Sequence, residues 1–117
     1  MSRKQYHHGN LKQAIIKESL LQLNLVGANE LSFRTIAKNL GVVSSAPYNH
    51  FKSKNQLFKE LINIGTDTLL KKMKNEKLKK SLPSEQLSYT ARAYLKFSLE
   101  EKELFSLMFS KKNLEIK

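Results

Sequence analysis

Apolar residues recur at steps of three and four along most of this chain, the spacing of helices that each bury one side. Leu11, Ile15, Ile16, Leu20 and Leu23 mark a broad apolar face over residues 11–26. Asn10 with Gln13 is placed to cap this first helix, and Gly27 to end it. A loop at Ala28-Asn29-Glu30 leads to Leu31, which can tuck under the next helix. Phe33, Ile36, Ala37 and Leu40 form the stripe of a short second helix, with Ser32 as its cap and Gly41 where a chain commonly turns out of a helix. A third helix is predicted over Ser44–His50, capped by Ser44. Pro47 falls in its first turn, where a missing N–H has no helical partner to lose. Ser53 and Gln56 make a capping-box pair at the start of a fourth helix.

That fourth helix runs from Lys54 to about Lys80, about 40 Å at the usual rise. Leu57, Phe58, Leu61, Ile62, Gly65 and Leu69 mark its buried side, and Gly65 implies close packing or a slight bend. The stripe fades after Met73 while lysines accumulate up to Lys80, the pattern of a solvated end rather than a membrane-surface helix. Leu82-Pro83-Ser84 is a clear break. A fifth helix is expected over 84–100 with Leu87, Ala91, Tyr94, Leu95 and Leu99 on one side, followed by a short apolar helix over Glu103–Phe109. Tyr89, Tyr94, Phe97, Phe105 and Met108 can line a small-molecule pocket, although ordinary core packing accounts for the same residues.

Composition narrows the class. With 117 residues the chain can hold one compact domain, or one domain and part of another. It contains no cysteine, which removes disulfides, thiolate catalysis and cysteine metal sites. His7 and His8 diverge as neighbours and have no third ligand at helical spacing, so no metal site is predicted. No Gly-rich phosphate loop is present; neither an enzyme nor a cofactor is expected. No apolar run approaches the roughly 18 residues needed to span a bilayer. The basic start, MSRKQYHHGNLK, has no apolar core behind it and is not a secretory signal. A cytoplasmic protein is expected.

The formal net charge is +11, and its distribution matters more than its size. Residues 1–54 carry 8 Lys/Arg against 2 Asp/Glu, residues 55–82 carry 7 against 3, and residues 83–117 carry 6 against 5. The excess lies on the short helices and the long helix behind them, where it favours phosphate by releasing condensed counterions. Helix, Gly-containing turn and short helix form a helix-turn-helix pattern, whose second helix enters the major groove of DNA.

The residues then become specific. The run FRTIAKNLG (Phe33–Gly41), Val42, and Tyr48-Asn49-His50-Phe51-Lys52-Ser53-Lys54 with Leu57 and Phe58 resemble the DNA-binding domain of the tetracycline-repressor (TetR) family of bacterial transcriptional regulators. YHHGNL (Tyr6–Leu11) also resembles the start of its members. The resemblance covers roughly residues 6–70 well and the remainder loosely. Val43 departs from it where the family commonly has serine, and Pro47 where a leucine or a threonine-leucine pair is usual.

The resemblance implies an all-α fold: a three-helix, homeodomain-like helix-turn-helix domain joined by a long fourth helix to a partial ligand-binding and dimerisation region. The expected organisation is an arm over 1–9 with Arg3 and Lys4 along DNA, a DNA-binding domain over 10–57, a connecting helix over 58–82 and a partial C-terminal region over 83–117. Relatives continue for several more helices. This chain is therefore expected to be a truncated member, or to dimerise through a reduced interface such as an exposed face around Leu104–Phe109. The implied function is a dimeric repressor on a palindromic operator, associated with the nucleoid and relieved by a small-molecule effector. A non-specific architectural DNA binder and a helical interaction module that has lost operator binding are the other readings.

Expected DNA contacts follow. Asn49 can pair with adenine, and Ser44, Ser45 and Ala46 open the recognition helix near phosphate. Arg34 and Thr35 begin the second helix beside a neighbouring phosphate. The family implies backbone-phosphate contacts for Tyr48, His50 and Lys54.

Overall fold

The computed structural model describes residues 10–110, so the predicted arm with Arg3, Lys4, His7 and His8 lies outside the described residues. The fold is all-helical, and no strand occurs among the described residues. Its elements are α1 (Leu11–Glu30), α2 (Phe33–Leu40), a 3-10 helix (Ala46–Asn49), α3 (Lys54–Leu78), α4 (Pro83–Glu100) and α5 (Lys102–Met108). The chain divides into two compact units, residues 1–61 and 62–117, with α3 contributing its first turns to one and the rest to the other.

In the first unit, Ile15, Leu23, Leu31, Ile36, Leu57 and Leu61 are sealed from solvent, and Phe33, Leu40, Phe51 and Phe58 complete the core. Removing this apolar surface from water is the principal driving force for the unit. α1 differs from its expected form at both ends. Asn10 makes no side-chain cap hydrogen bond. Gly27 does interrupt the helix, but with φ 81° and ψ 171°, a region open essentially to glycine alone. The chain resumes a helical turn through the predicted loop at 28–30, closed by Leu31 N–H on the Gly27 carbonyl at 3.2 Å. The turn delivers Leu31 to the core.

The second unit buries Leu69, Ala93, Phe97, Leu104, Leu107 and Met108. Gly65 is its point of closest approach: a Cβ there would lie 2.8 Å from Met108 Sδ and 3.1 Å from Leu104 Cγ. Close packing, not a bend, therefore accounts for this glycine.

Two apolar stretches of this unit are sorted by the fold. α4 turns Ala93 and Phe97 inward, whereas Leu87 (74% exposed), Leu95 (59%) and Leu99 (78%) face outward with Ala91. Tyr94, from the same predicted stripe, is 37% exposed and rests against Phe105. The face around Leu104–Phe109 is likewise not an open surface. Leu104, Leu107 and Met108 are core, and Phe109 alone of these four is exposed, because α5 must cover the notch at Gly65.

Gly65→Val forces branched volume into the contact with Leu104 and Met108. It is expected to lower stability by about 1–3 kcal/mol, measured as a lower urea midpoint with an unchanged slope.

Candidate nucleic-acid interface

α2 begins and ends by local chemistry. Ser32 Oγ accepts the Thr35 backbone N–H at 3.1 Å and donates to Thr35 Oγ1 at 2.9 Å. This satisfies one orphan donor of the first turn and orients Thr35. At the far end Gly41 takes φ 74°. Its N–H bonds the Lys38 carbonyl at 3.1 Å and Val42 N–H bonds that of Ala37 at 3.0 Å. The pair is a Schellman closure, which stops the helix sharply.

The next element is shorter than predicted. Tyr48 N–H bonds the Ser45 carbonyl at 3.1 Å, three residues back rather than four, so Ala46–Asn49 is a single 3-10 turn. Ser44 lies in the preceding turn rather than at the helix cap, and Ser45, at the cap position, makes no side-chain bond either. Pro47 lies in the first turn, where its missing N–H costs no helical bond. Pro47 is itself buried, and its carbonyl accepts both His50 N–H at 3.1 Å and Phe51 N–H at 3.0 Å. The proline thus anchors the turn in the core. The next cap is formed as expected, with Gln56 N–H on Ser53 Oγ at 3.2 Å, but Gln56 Oε1 reaches back to Lys52 N–H at 2.6 Å rather than to Ser53 N–H.

Around this scaffold Arg34, Thr35, Ser44, Ser45, Tyr48, Asn49 and His50 all reach solvent. Ala46 does not; with Pro47 it is buried, so its methyl packs instead of facing outward. The Tyr48 ring meets Phe33 edge-on at 4.6 Å, which fixes the 3-10 turn against the start of α2 beside Arg34 and Thr35. Lys54, the first residue of α3, donates to the Asn29 carbonyl at 3.2 Å and lies 5.8 Å from the Phe58 ring centre. It braces the turn after Gly27 while remaining partly exposed.

Sequence reading missed the polar interior of this unit. Glu18 is buried at 3% exposure. Its Oε2 accepts from Asn39 Nδ2 at 2.7 Å and Gln22 Nε2 at 3.0 Å. Ser19 Oγ, also sealed, donates to the Ile15 carbonyl at 2.7 Å. The signal was available: 15, 18, 19, 22 and 23 share one helical face, so a stripe fixed by Ile15 and Leu23 contains three polar positions.

The aromatic residues expected around a ligand are not gathered about one cavity. Tyr94 and Phe97 pack against Phe105 at 5.5 and 6.5 Å, and Met108 fills the notch at Gly65. Tyr89 and Phe97 instead border an open groove between α3 and α4. Among the described residues no cluster of three or more His, Cys, Asp or Glu is arranged to hold a metal, and no helix is long and apolar enough to cross a membrane.

The family model described as "Bacterial regulatory proteins, tetR family" matches residues 15–61, the segment from the first sealed residue of α1 to the first turns of α3. Residues 15–61 are similar to the tetR-family domain. Among solved structures, a chain described as "Structure of a protein with unknown function from Rhodococcus sp. RHA1" is similar to this one, with a TM-score of 0.80 and 29% sequence identity over 91% of the present chain. The present chain spans 55% of that one. Comparison with curated proteins gives no match. The family that this segment resembles is, by its description, one of bacterial regulatory proteins.

Glu18→Ala leaves the Asn39 and Gln22 amides without their buried acceptor. It is expected to destabilise the first unit by about 1–3 kcal/mol, with Glu18→Gln, which keeps an acceptor oxygen, losing less. Equal urea midpoints for Glu18→Ala and the unaltered chain would remove the carboxylate from the framework of the domain.

Proposed function

We propose that the chain is a sequence-specific transcriptional repressor that binds a two-fold symmetric operator as a dimer, works in the cytoplasm on the nucleoid, and releases DNA when its second unit holds a small ligand. The observation that carries this reading is the sorting of side chains at the 3-10 turn. Ala46, Pro47 and Phe51 are buried, while Tyr48, Asn49 and His50 stand outward beside Arg34 and Thr35. Core packing, with the edge of Tyr48 on Phe33, thus fixes a turn whose Asn49 side chain, and that of His50 after it, face solvent.

Asn49 is the residue proposed to read a base edge, since its amide both donates and accepts. Arg34, Thr35, Ser44, Ser45, Tyr48 and His50 are proposed to hold the phosphate backbone on either side, fixing register without carrying sequence information. Lys54 fits the same role. An ammonium has three N–H donors, and the Asn29 carbonyl takes one of them. The net charge of +11 by itself also favours a non-specific phosphate binder, so competition between duplexes is the deciding measurement.

Selection from a random duplex pool is expected to enrich a two-fold symmetric site with half-sites about 34–36 Å apart. A pool that stays random would end the reading as a specific regulator. On the selected site Arg34→Ala should weaken specific and random duplex alike and reduce the salt slope by about one. Asn49→Ala should lose affinity for the selected site alone; equal losses on both would remove its reading role.

Dimerisation is supported by α4, which is apolar on two sides although the chain buries one of them. A second copy on the Leu87–Ala91–Leu95–Leu99 stripe would cover the other. Light scattering is expected to give twice the chain mass, and Leu95→Glu, at an exposed position, half of that. A dimer unchanged by Leu95→Glu and Leu99→Glu would move the interface elsewhere.

A further inference from the structure

The groove of the second unit is built by two helix faces with matched periodicity. α3 contributes Lys72, Asn75 and Glu76, and the turn that follows it Lys79, at steps of three, one and three. α4 contributes Tyr89, Arg92, Ala93, Lys96, Phe97 and Glu100 on one continuous stripe. The groove has a volume of about 590 Å3, within the range of small-ligand sites. Its wall carries four cations against two carboxylates.

Those charges are unevenly matched. Lys79 pairs with Glu76 at 2.8 Å. Lys72, Arg92 and Lys96 form no close ion pair among the described residues, although the charge of Lys96 reaches the Glu76 carboxyl. The Glu76 carboxyl is held below its ordinary range, first by the hydrogen bond from Lys79 and further by the charges of Lys79, Lys96 and Lys80. Tyr89 gathers two cations, with Lys80 Nζ 4.1 Å and Arg92 Cζ 4.7 Å from its ring centre. The ring therefore positions the Arg92 fork at the groove, reducing the freedom it has to lose on binding.

We infer that this groove is a binding site for small aromatic carboxylates, with Arg92 and Lys96 taking the carboxylate and Tyr89 and the Ala93–Phe97 floor taking the ring. Guanidinium matches a carboxylate through two parallel N–H···O bonds, which a point cation cannot supply. A planar apolar body covers Tyr89 and the floor without adding charge to the lysine-rich wall. A cationic ligand meets net repulsion there, and a neutral one leaves the cations unmatched. Binding stands on the groove alone; only its use to relieve DNA binding rests on the function proposed above.

The test is calorimetric titration of the full chain, without DNA, by three probes that share a ring system: 2-naphthoate, 2-naphthamide and 2-naphthylmethylammonium. Naphthoate is expected to saturate one site per chain, at least tenfold tighter than the amide, with no detectable ammonium binding and with affinity falling as salt is raised. Arg92→Gln with Lys96→Gln, both exposed, should weaken naphthoate at least tenfold while leaving the helical circular dichroism unchanged. Arg92→Lys, which keeps the charge and loses the fork, should retain only part of the affinity. Absence of saturation at millimolar naphthoate, equal binding of the amide, or a double variant that binds as before would each overturn the inference. Repeating the operator titration with naphthoate then scores the regulatory use separately: DNA affinity can stay unchanged while the site itself stands.

Discussion

The first unit is organised around a buried carboxyl group. Taking a carboxylate out of water costs several kcal/mol unless its oxygens are met by donors. Glu18 has that requirement answered by Asn39 from α2 and Gln22 from its own helix. Apolar contacts between two helices tolerate small slides, since one methyl substitutes for another. A 2.7 Å bond from an amide to a buried carboxylate tolerates far less, so α2 is held on α1 in one register. Everything carried by α2 inherits that register. Ser32 caps it, Phe33 receives the edge of Tyr48, and Arg34 and Thr35 stand in the same first turn.

What could be read from the residues follows the range of the chemistry involved. Ser32 on Thr35, Gly41 after Leu40, and Ser53 with Gln56 act over three or four residues, and the chain folds there as its local rules require. Asn39 and Glu18 are 21 residues apart, and nothing local announces their meeting. Asn10 beside Gln13 had the right composition for a cap, yet no bond forms, because composition at a helix start does not fix side-chain geometry. Pro47 was recognised as compatible with a first turn. That it would enter the core depends on packing against the rest of the domain. Among the expected contact residues, the exposed polar ones were legible by type, whereas Ala46 and the bracing bond of Lys54 depended on the folded arrangement.

α4 shows why periodicity alone left the second unit ambiguous. Positions 87, 91, 95 and 99 form one apolar row and positions 89, 93 and 97 another. At about 100° per residue the two rows lie on nearly opposite sides of the helix. The first row has the larger aliphatic content. The fold buries the second, since a small residue at 93 and a flat ring at 97 pack where bulkier leucines do not interdigitate. Lys72, Lys79, Arg92 and Lys96, separable on paper as solvated charges, become neighbours only because that choice turns the second row toward α3.

The brevity of the 3-10 turn bears on how much information one copy can extract from a genome. Two of its four residues are buried, leaving Tyr48 and Asn49, with His50 immediately after. If each wrong base pair is penalised by about 1–3 kcal/mol, so few readers define only a short word. Such words recur by chance among roughly 10⁶–10⁹ competing positions. Discrimination on the proposed reading then shifts from base identity toward the separation of paired words and the bendability of the duplex between them. A regulator of this kind finds its address through spacing and shape as much as spelling, and its occupancy becomes sensitive to how many copies the cell contains.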